Sequence, residues 1–178
     1  MITWSPYSDH MNTKSSPSFD KRDLRNALGS FGTGVTVVTS GTKQTRLVGV
    51  TANSFSSVSL DPPIVLWSLG SSSPSLDIFD ASGRFVINIL ALHQVDLSKR
   101  FSSNLSDKFE GVDFSEGLGG LPVLNDCVAT IECKTIQRTV VGDHVLFLGQ
   151  VEKYLYERKP TLLFCQGNYL QGVEYETS

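Results

Sequence analysis

Short runs of β-branched and aromatic residues, cut by Gly, Pro and Asp, follow one another along most of this chain and constrain its fold more than any other feature. GVTVVTS (34–40), RLVGVTANS (46–54), PIVLWSL (63–69), RFVINIL (84–90), DCVATIECKTIQR (126–138), HVLFLGQVEKYLY (144–156) and TLLFCQGNYL (161–170) each read as a strand. Their even spacing, without strict strand–helix alternation, argues against a doubly wound sheet. It predicts a mainly β fold: an antiparallel barrel, closed or partly closed, with a few short helices.

The helices are few and brief. Asp20 is a plausible N-cap, and Leu24, Leu28 and Phe31 follow on one helical face before Gly29, Gly32 and Gly34 end the pattern. Ser75 can cap a second helix that stops near Gly83, and residues 93–101 make a third. Residues 102–125 read as loop. In 126–138, Cys127, Ala129, Ile131 and Cys133 alternate with Val128, Thr130, Glu132 and Lys134, the pattern of a half-buried strand. Residues 1–18, rich in Ser, Asn, Asp and Pro, read as a flexible leader in which Met11 is a second candidate start. A single domain is expected over 19–178.

Composition narrows the function. A chain of 178 residues that is 40% hydrophobic can bury one core of ordinary size. A net charge of −3 and a pI near 5.6 offer no surface for nucleic acid. The odd set Cys127, Cys133 and Cys165, without C-x-x-C spacing, points to free thiols in a reducing compartment rather than to zinc. With no signal-like segment and no run near the ~20 apolar residues of a membrane span, a cytoplasmic protein with no membrane partner is expected.

GVTANSFSSVSLDPP (49–63) is the stretch that composition does not explain. Read alone, it is a polar loop between two strands. Its small residues would let a ligand approach the backbone, and its many donors come without a cation. Such a set suits a flat heteroaromatic ring or a phosphate held by dipoles, and Pro62-Pro63 stiffens the exit.

FGTGVTVVTS, VGVTANSFSSVSLDPPIVLWSL, SGRFVINIL, KRF, GLPVL, ATIECK and VGDHVLFLGQV occur in this order. Together they resemble the flavin reductase-like family with the FMN-binding split-barrel fold. Its most similar branch holds the small reductase components of two-component flavin-dependent monooxygenases. The resemblance runs from about Phe19 to Tyr169. It implies a homodimer that oxidises NADH or NADPH, reduces FMN or FAD, and passes reduced flavin to a separate monooxygenase.

The same resemblance implies site residues. Thr51, Ala52, Asn53 and Ser54 match the strand end that meets the polar edge of the flavin ring, where donors stabilise charge gained on reduction. Ser56 and Ser57 match the ribityl or phosphate end. Lys99 or Arg100 matches the phosphate contact, and Phe101 either the core or the pocket lining. His144, after the Gly142-Asp143 turn, matches the histidine that orients the nicotinamide. Hydride transfer itself needs two rings held face to face with reacting atoms ~3–3.5 Å apart, not a protein acid. Tyr169 either covers the pocket or packs. Cys127 and Cys133 are expected to be inert core, and no role falls to His10 or His93.

GSFGTG (29–34) is not a dinucleotide fingerprint, because it follows a helix and precedes a strand. The competing expectation is a split barrel that binds flavin or haem without turnover. A pyridoxamine-phosphate-oxidase-like enzyme would need a second basic phosphate pocket, and the sequence offers none.

Overall fold

The computed structural model describes residues 19–174; the leader and Met11 lie outside them. The chain runs α1 (Lys21–Gly29), β1 (Thr33–Gly34), β2 (Thr36–Ser40), β3 (Val48–Ala52), β4 (Ser56–Leu60), β5 (Pro63–Gly70), α2 (Leu76–Ser82) and β6 (Arg84–Ile89). It continues with α3 (Val95–Ser102), β7 (Phe114–Glu116), β8 (Pro122–Leu124), β9 (Ala129–Val141), β10 (His144–Tyr156), β11 (Leu162–Cys165) and β12 (Asn168–Gln171).

Seven strands form one antiparallel sheet in the order β3-β2-β6-β9-β10-β5-β4. The sheet wraps around one apolar cluster that takes Val38, Val48, Trp67, Ile87, Cys133 and Phe147 from six of those strands. Trp67 stacks on Phe147 with centroids 5.0 Å apart and tilts against Phe79 at 4.9 Å. The outer strands β3 and β4 are joined by residues 53–55, not by a ladder. There the Ser54 hydroxyl accepts from Ser68 N (3.0 Å) and donates to Ser68 O (3.2 Å), which ties the end of β3 to β5. The antiparallel, mainly β expectation holds.

A second cluster lies outside the barrel wall. Val35, Val37, Leu90, Phe101, Phe109, Leu124 and Leu162 pack there, between β2, α3 and the β11–β12 hairpin. β2 is therefore buried on both faces, with Val38 turned to one cluster and Val37 to the other.

Four expectations about elements need correction. The polar stretch 49–63 is only partly loop. Ser56–Leu60 is an edge strand, β4, whose solvent-facing side needs no apolar residues and so carries no alternation. The supposed loop 102–125 holds the β7–β8 hairpin, whose β8 packs on β2 and β6 and whose connecting turn reaches Glu132 of β9 through Leu118. Thr130 and Glu132 are consequently buried, Glu132 to 2% exposure, and β9 is not half-exposed there. Glu132 accepts from Leu118 N (2.5 Å) and pairs with Lys153 (2.8 Å), so the carboxylate is neutralised where it is buried. The last predicted strand is a hairpin, turned by Gln166 and Gly167 in the left-handed region.

The helix starts fare unevenly. Asp20 caps α1, its Oδ1 accepting from Arg22 N and Asp23 N at 2.8 Å. Ser75 stands before α2 without a side-chain cap, and Gly83 ends that helix left-handed, as the sequence suggests.

Candidate active-site groove

β3 carries the centre of the site, and its hydroxyls are mostly spent on holding it in place. Thr51 Oγ1 donates to Ser98 O in α3 (2.7 Å), and Thr36 Oγ1 donates to Ala52 O (2.7 Å). Ser98 Oγ and the Tyr169 hydroxyl lie 2.9 Å apart, while the Tyr169 ring packs edge-on against Phe164. Tyr169 thus braces the strand from behind and does not line the groove in front of it. Ser54 is committed to Ser68. Asn53 is exposed, and its amide has no partner among the described residues.

A cleft of about 220 Å³ opens at this end of β3, between residues 50–54, residues 68–70 of β5, and His144. His144 reaches it because the first residue of β10 pairs with Gly70, the last of β5. Asp143 fixes the ring: His144 Nδ1–H donates to Asp143 Oδ1 (2.7 Å), leaving Nε2 as the free nitrogen. The turn is itself anchored, since Asp143 O accepts from both Ser71 N (2.9 Å) and Ser71 Oγ (3.0 Å). The hydrogen bond from His144, and then its charge, hold the Asp143 carboxyl below the usual aspartate range.

A larger cavity of about 640 Å³ shares Val50 and Thr51 with the cleft, so the two adjoin along β3 and together make up the groove. Phe101 is its floor: 1% exposed, edge-on to Phe109, and seated where a Cβ on Gly49 would overlap the ring. Phe101 is therefore both core and pocket lining. Arg46 and Lys108 supply the cations. Arg46 is neutralised by Asp77 (2.9 Å), whereas Lys108 Nζ donates to Phe101 O (2.8 Å) and lies 3.4 Å from Gly49 O. Burial pushes the Lys108 ammonium below the ordinary lysine pKa.

The remaining sequence-derived residues lie elsewhere. Ser56 and Ser57 are exposed on β4 and line neither cavity. Lys99 points outward, 4.0 Å from Asp96. Arg100 lines neither cavity, donating through Nε to Lys108 O (2.8 Å) and through Nη2 to Glu110 O (2.6 Å). It shapes the loop that delivers Lys108. Lys108, Asp143 and Gly49 were not singled out from the sequence. The one local signal was Asp107, whose Oδ1 accepts from Phe109 N and Glu110 N and marks an ordered turn after the serine-rich loop. Cys127 and Cys133 are buried, with thiols pushed up to about 12 by desolvation, the inert core expected of them.

The groove is polar and uncharged at one end, cationic at the other, with an aromatic floor between. That arrangement fits an elongated ligand with a flat polar ring and an anionic tail. Ala52, with a single methyl, leaves room for the ring edge to meet the backbone. Among the described residues no helix is long and apolar enough to cross a membrane, and no group of three His, Cys, Asp or Glu side chains could hold a metal.

Residues 28–172 match the family model described as flavin reductase like domain. A Rhizobium meliloti protein named "Probable flavin reductase" is 41% identical over 85% of the chain; the chain spans about half (49%) of that relative's length. The reductase subunit HsaB of a flavin-dependent monooxygenase, from Mycobacterium tuberculosis, is 38% identical, over 90% of this chain and 87% of its own. The Streptomyces globisporus NADH:FAD oxidoreductase SgcE6, solved in complex with NAD and FAD fragments, superposes with a TM-score of 0.82 at 35% identity, covering 86% of this chain and 93% of that one.

Proposed function

The chain belongs to the flavin reductase-like domain family, and on that premise we propose that it is an NAD(P)H:flavin oxidoreductase acting on FMN or FAD. The observation that carries this reading is the cleft that sets Asn53 against His144 and adjoins the larger cavity along β3 at Val50 and Thr51.

When bound, the flavin supplies a ring that takes up hydride from the nicotinamide of NADH or NADPH. The chain's own residues bind and orient. The Asn53 amide and the backbone of residues 51–54 meet the ring's polar edge, where oriented dipoles favour negative charge. The Phe101 ring gives the groove an apolar floor. His144, with Nδ1 held by Asp143, presents Nε2 to the nicotinamide side of the cleft. Its work is to hold a dinucleotide in register, because the transfer depends on distance and alignment.

The family resemblance and the naming of a relative as a monooxygenase reductase subunit support delivery of reduced flavin to a separate oxygenase. Tyr154, Leu155 and Tyr156, each more than half exposed at the open end of the β9–β10 hairpin, supply apolar surface that a homodimer would bury. Three free cysteines suit a cytoplasmic protein.

The test is oxidation of NADH and of NADPH, followed at 340 nm, with FMN and with FAD. Turnover in at least one combination is expected. His144→Ala should raise KM for the nucleotide more than it weakens flavin binding. No oxidation in any of the four mixtures, with flavin bound, would leave a flavin carrier instead of a reductase.

A further inference from the structure

We infer that a cavity beside α2 is a second ligand site, separate from the groove, and that it takes a small uncharged molecule built on one aromatic ring. The cavity measures about 230 Å³. It lies where the β2–β3 turn (Gly41, Thr42), the end of α2 (Ile78, Ala81), Arg84 and the turn before β8 (Leu121) meet. Among the described residues, none lines both this cavity and either part of the groove.

Each wall is held in place by contacts of its own. In the β2–β3 turn, Thr45 N donates to Thr42 O (3.1 Å) and Thr42 N to Thr45 Oγ1 (3.0 Å). Gly41 stands at a φ of 78°, and a Cβ there would overlap Arg46 O, so the turn closes as tightly as glycine allows. α2 is anchored by Phe79, buried in the barrel core, and by the Asp77–Arg46 pair (2.9 Å). Between β7 and β8, Gly117 N donates to Leu121 O (2.8 Å) and Leu118 N to the Glu132 carboxylate (2.5 Å). The three segments cannot close on the space without giving up these contacts, so the site is preformed.

The lining sets the class of ligand. Most of the wall is apolar, with Ile78, Ala81 and Leu121 contributing carbon. Its one charged side chain among the described residues is Arg84, whose Nη1 and Nη2 both engage the Glu152 carboxylate. That cation is cancelled, so an anion entering the cavity would lose hydration without a charge to offset the loss. Ser82 Oγ donates to Arg84 O (3.2 Å), which leaves its lone pairs to accept a hydrogen bond from a ligand hydroxyl. An apolar cavity of about 150 Å³ suffices for benzene. The space here therefore admits one ring with a small substituent, and it falls short of the ~300 Å³ at which drug-sized pockets begin.

Phenol and benzoate share a ring and differ in charge, so the pair tests the class. In the full chain titrated with phenol, amide chemical shifts should move in 41–45, 78–84 and 119–121. They should saturate with a Kd on the order of 1 mM, well inside the ceiling for so small a ligand. Benzoate should bind at least about tenfold more weakly. Saturating FMN should leave the phenol-induced shifts in place. Ala81 is exposed on α2 and lines the cavity, so Ala81→Leu should fold, fill the space and weaken phenol at least about tenfold. Benzoate binding as well as phenol, displacement of phenol by FMN, or undiminished phenol binding in Ala81→Leu overturns the assignment. So does a wild-type protein whose three segments do not respond to phenol, which decides the matter should the variant fail to fold.

Discussion

Two glycines in this molecule sit beneath two phenylalanine rings, and the consequences of filling them differ. Gly149 on β10 lies under Phe85, inside the barrel; an added Cβ would overlap that ring and lie 2.9 Å from Cys133 Cβ. Gly49 on β3 lies under Phe101, in the second cluster; an added Cβ would overlap the ring and meet Phe109 Cζ at 3.5 Å. The same device, a missing side chain beneath an aromatic ring, packs the core inside the sheet in one place and floors the groove in the other. Around Gly149 a second obstacle is strand-bound and every direction is packed. Above Gly49 the ring is buried too, but it lines the larger cavity, which a ligand would occupy on the reductase reading. Packing in the barrel is a matter of stability alone, whereas packing in the second cluster is felt at the site.

The largest expected effect is on the closed side. Gly149→Ala should cost about 3 kcal/mol, the upper part of the usual range for overpacking a tight core. For a chain of this size that lowers Tm by roughly 6–12 °C. Flavin affinity of the folded fraction should not change. Thermal unfolding alongside a flavin titration checks both halves, and a Tm within a degree of wild type would show that the barrel core has slack.

Gly49→Ala should cost less stability, roughly 1–2 kcal/mol, because Phe101 can yield toward the groove. Flavin affinity should fall by at least tenfold as the ring enters the ligand's space, which corresponds to about 1.4 kcal/mol. Adding Phe101→Leu should restore part of the affinity, since the two positions touch and their effects cannot add. Undiminished binding in Gly49→Ala would break the contrast between the two clusters.

The sequence made the barrel side of this contrast readable and the groove side much less so. Trp67, Phe85 and Phe147 lie in long runs whose β-branched and aromatic content announces a buried strand. Asp20 announced its helix by its own cap. β4 was silent because an exposed edge strand can be written in serines. β7 and β8, three residues each, are too short to show a period, and without them the burial of Glu132 could not be foreseen. The site is harder still. Asn53 and His144 face one cleft only because β5 and β10 pair at Gly70 and His144, and nothing local to either residue reports that. The family resemblance named both. Lys108 depends on a loop folding back onto residues 49 and 101, a contact with no trace in composition, so the cations chosen from the sequence were the helical pair beside Phe101.

The smallest effect belongs to the rim of the cleft. Asp143→Ala removes the acceptor that holds His144 Nδ1, in a solvent-exposed turn that Ser71 anchors independently through the main chain. Tm at neutral pH should be indistinguishable from wild type. The folded-state pKa of Asp143 lies below the ordinary aspartate value of 3.8, because the histidine donates to the charged form. Its contribution is therefore fully present above 3.8 and is lost as pH falls through the lower folded value. Any stability difference between Asp143→Ala and wild type should persist from neutral pH to about that point and vanish below it. Function should respond where stability does not. With the ring free to turn, KM for the nucleotide should rise about threefold, the scale of one exposed charge-assisted contact, while kcat and flavin affinity hold. A variant that instead lost Tm and both ligands together would make Asp143 part of the packing, and the rim of the cleft would then behave like the barrel.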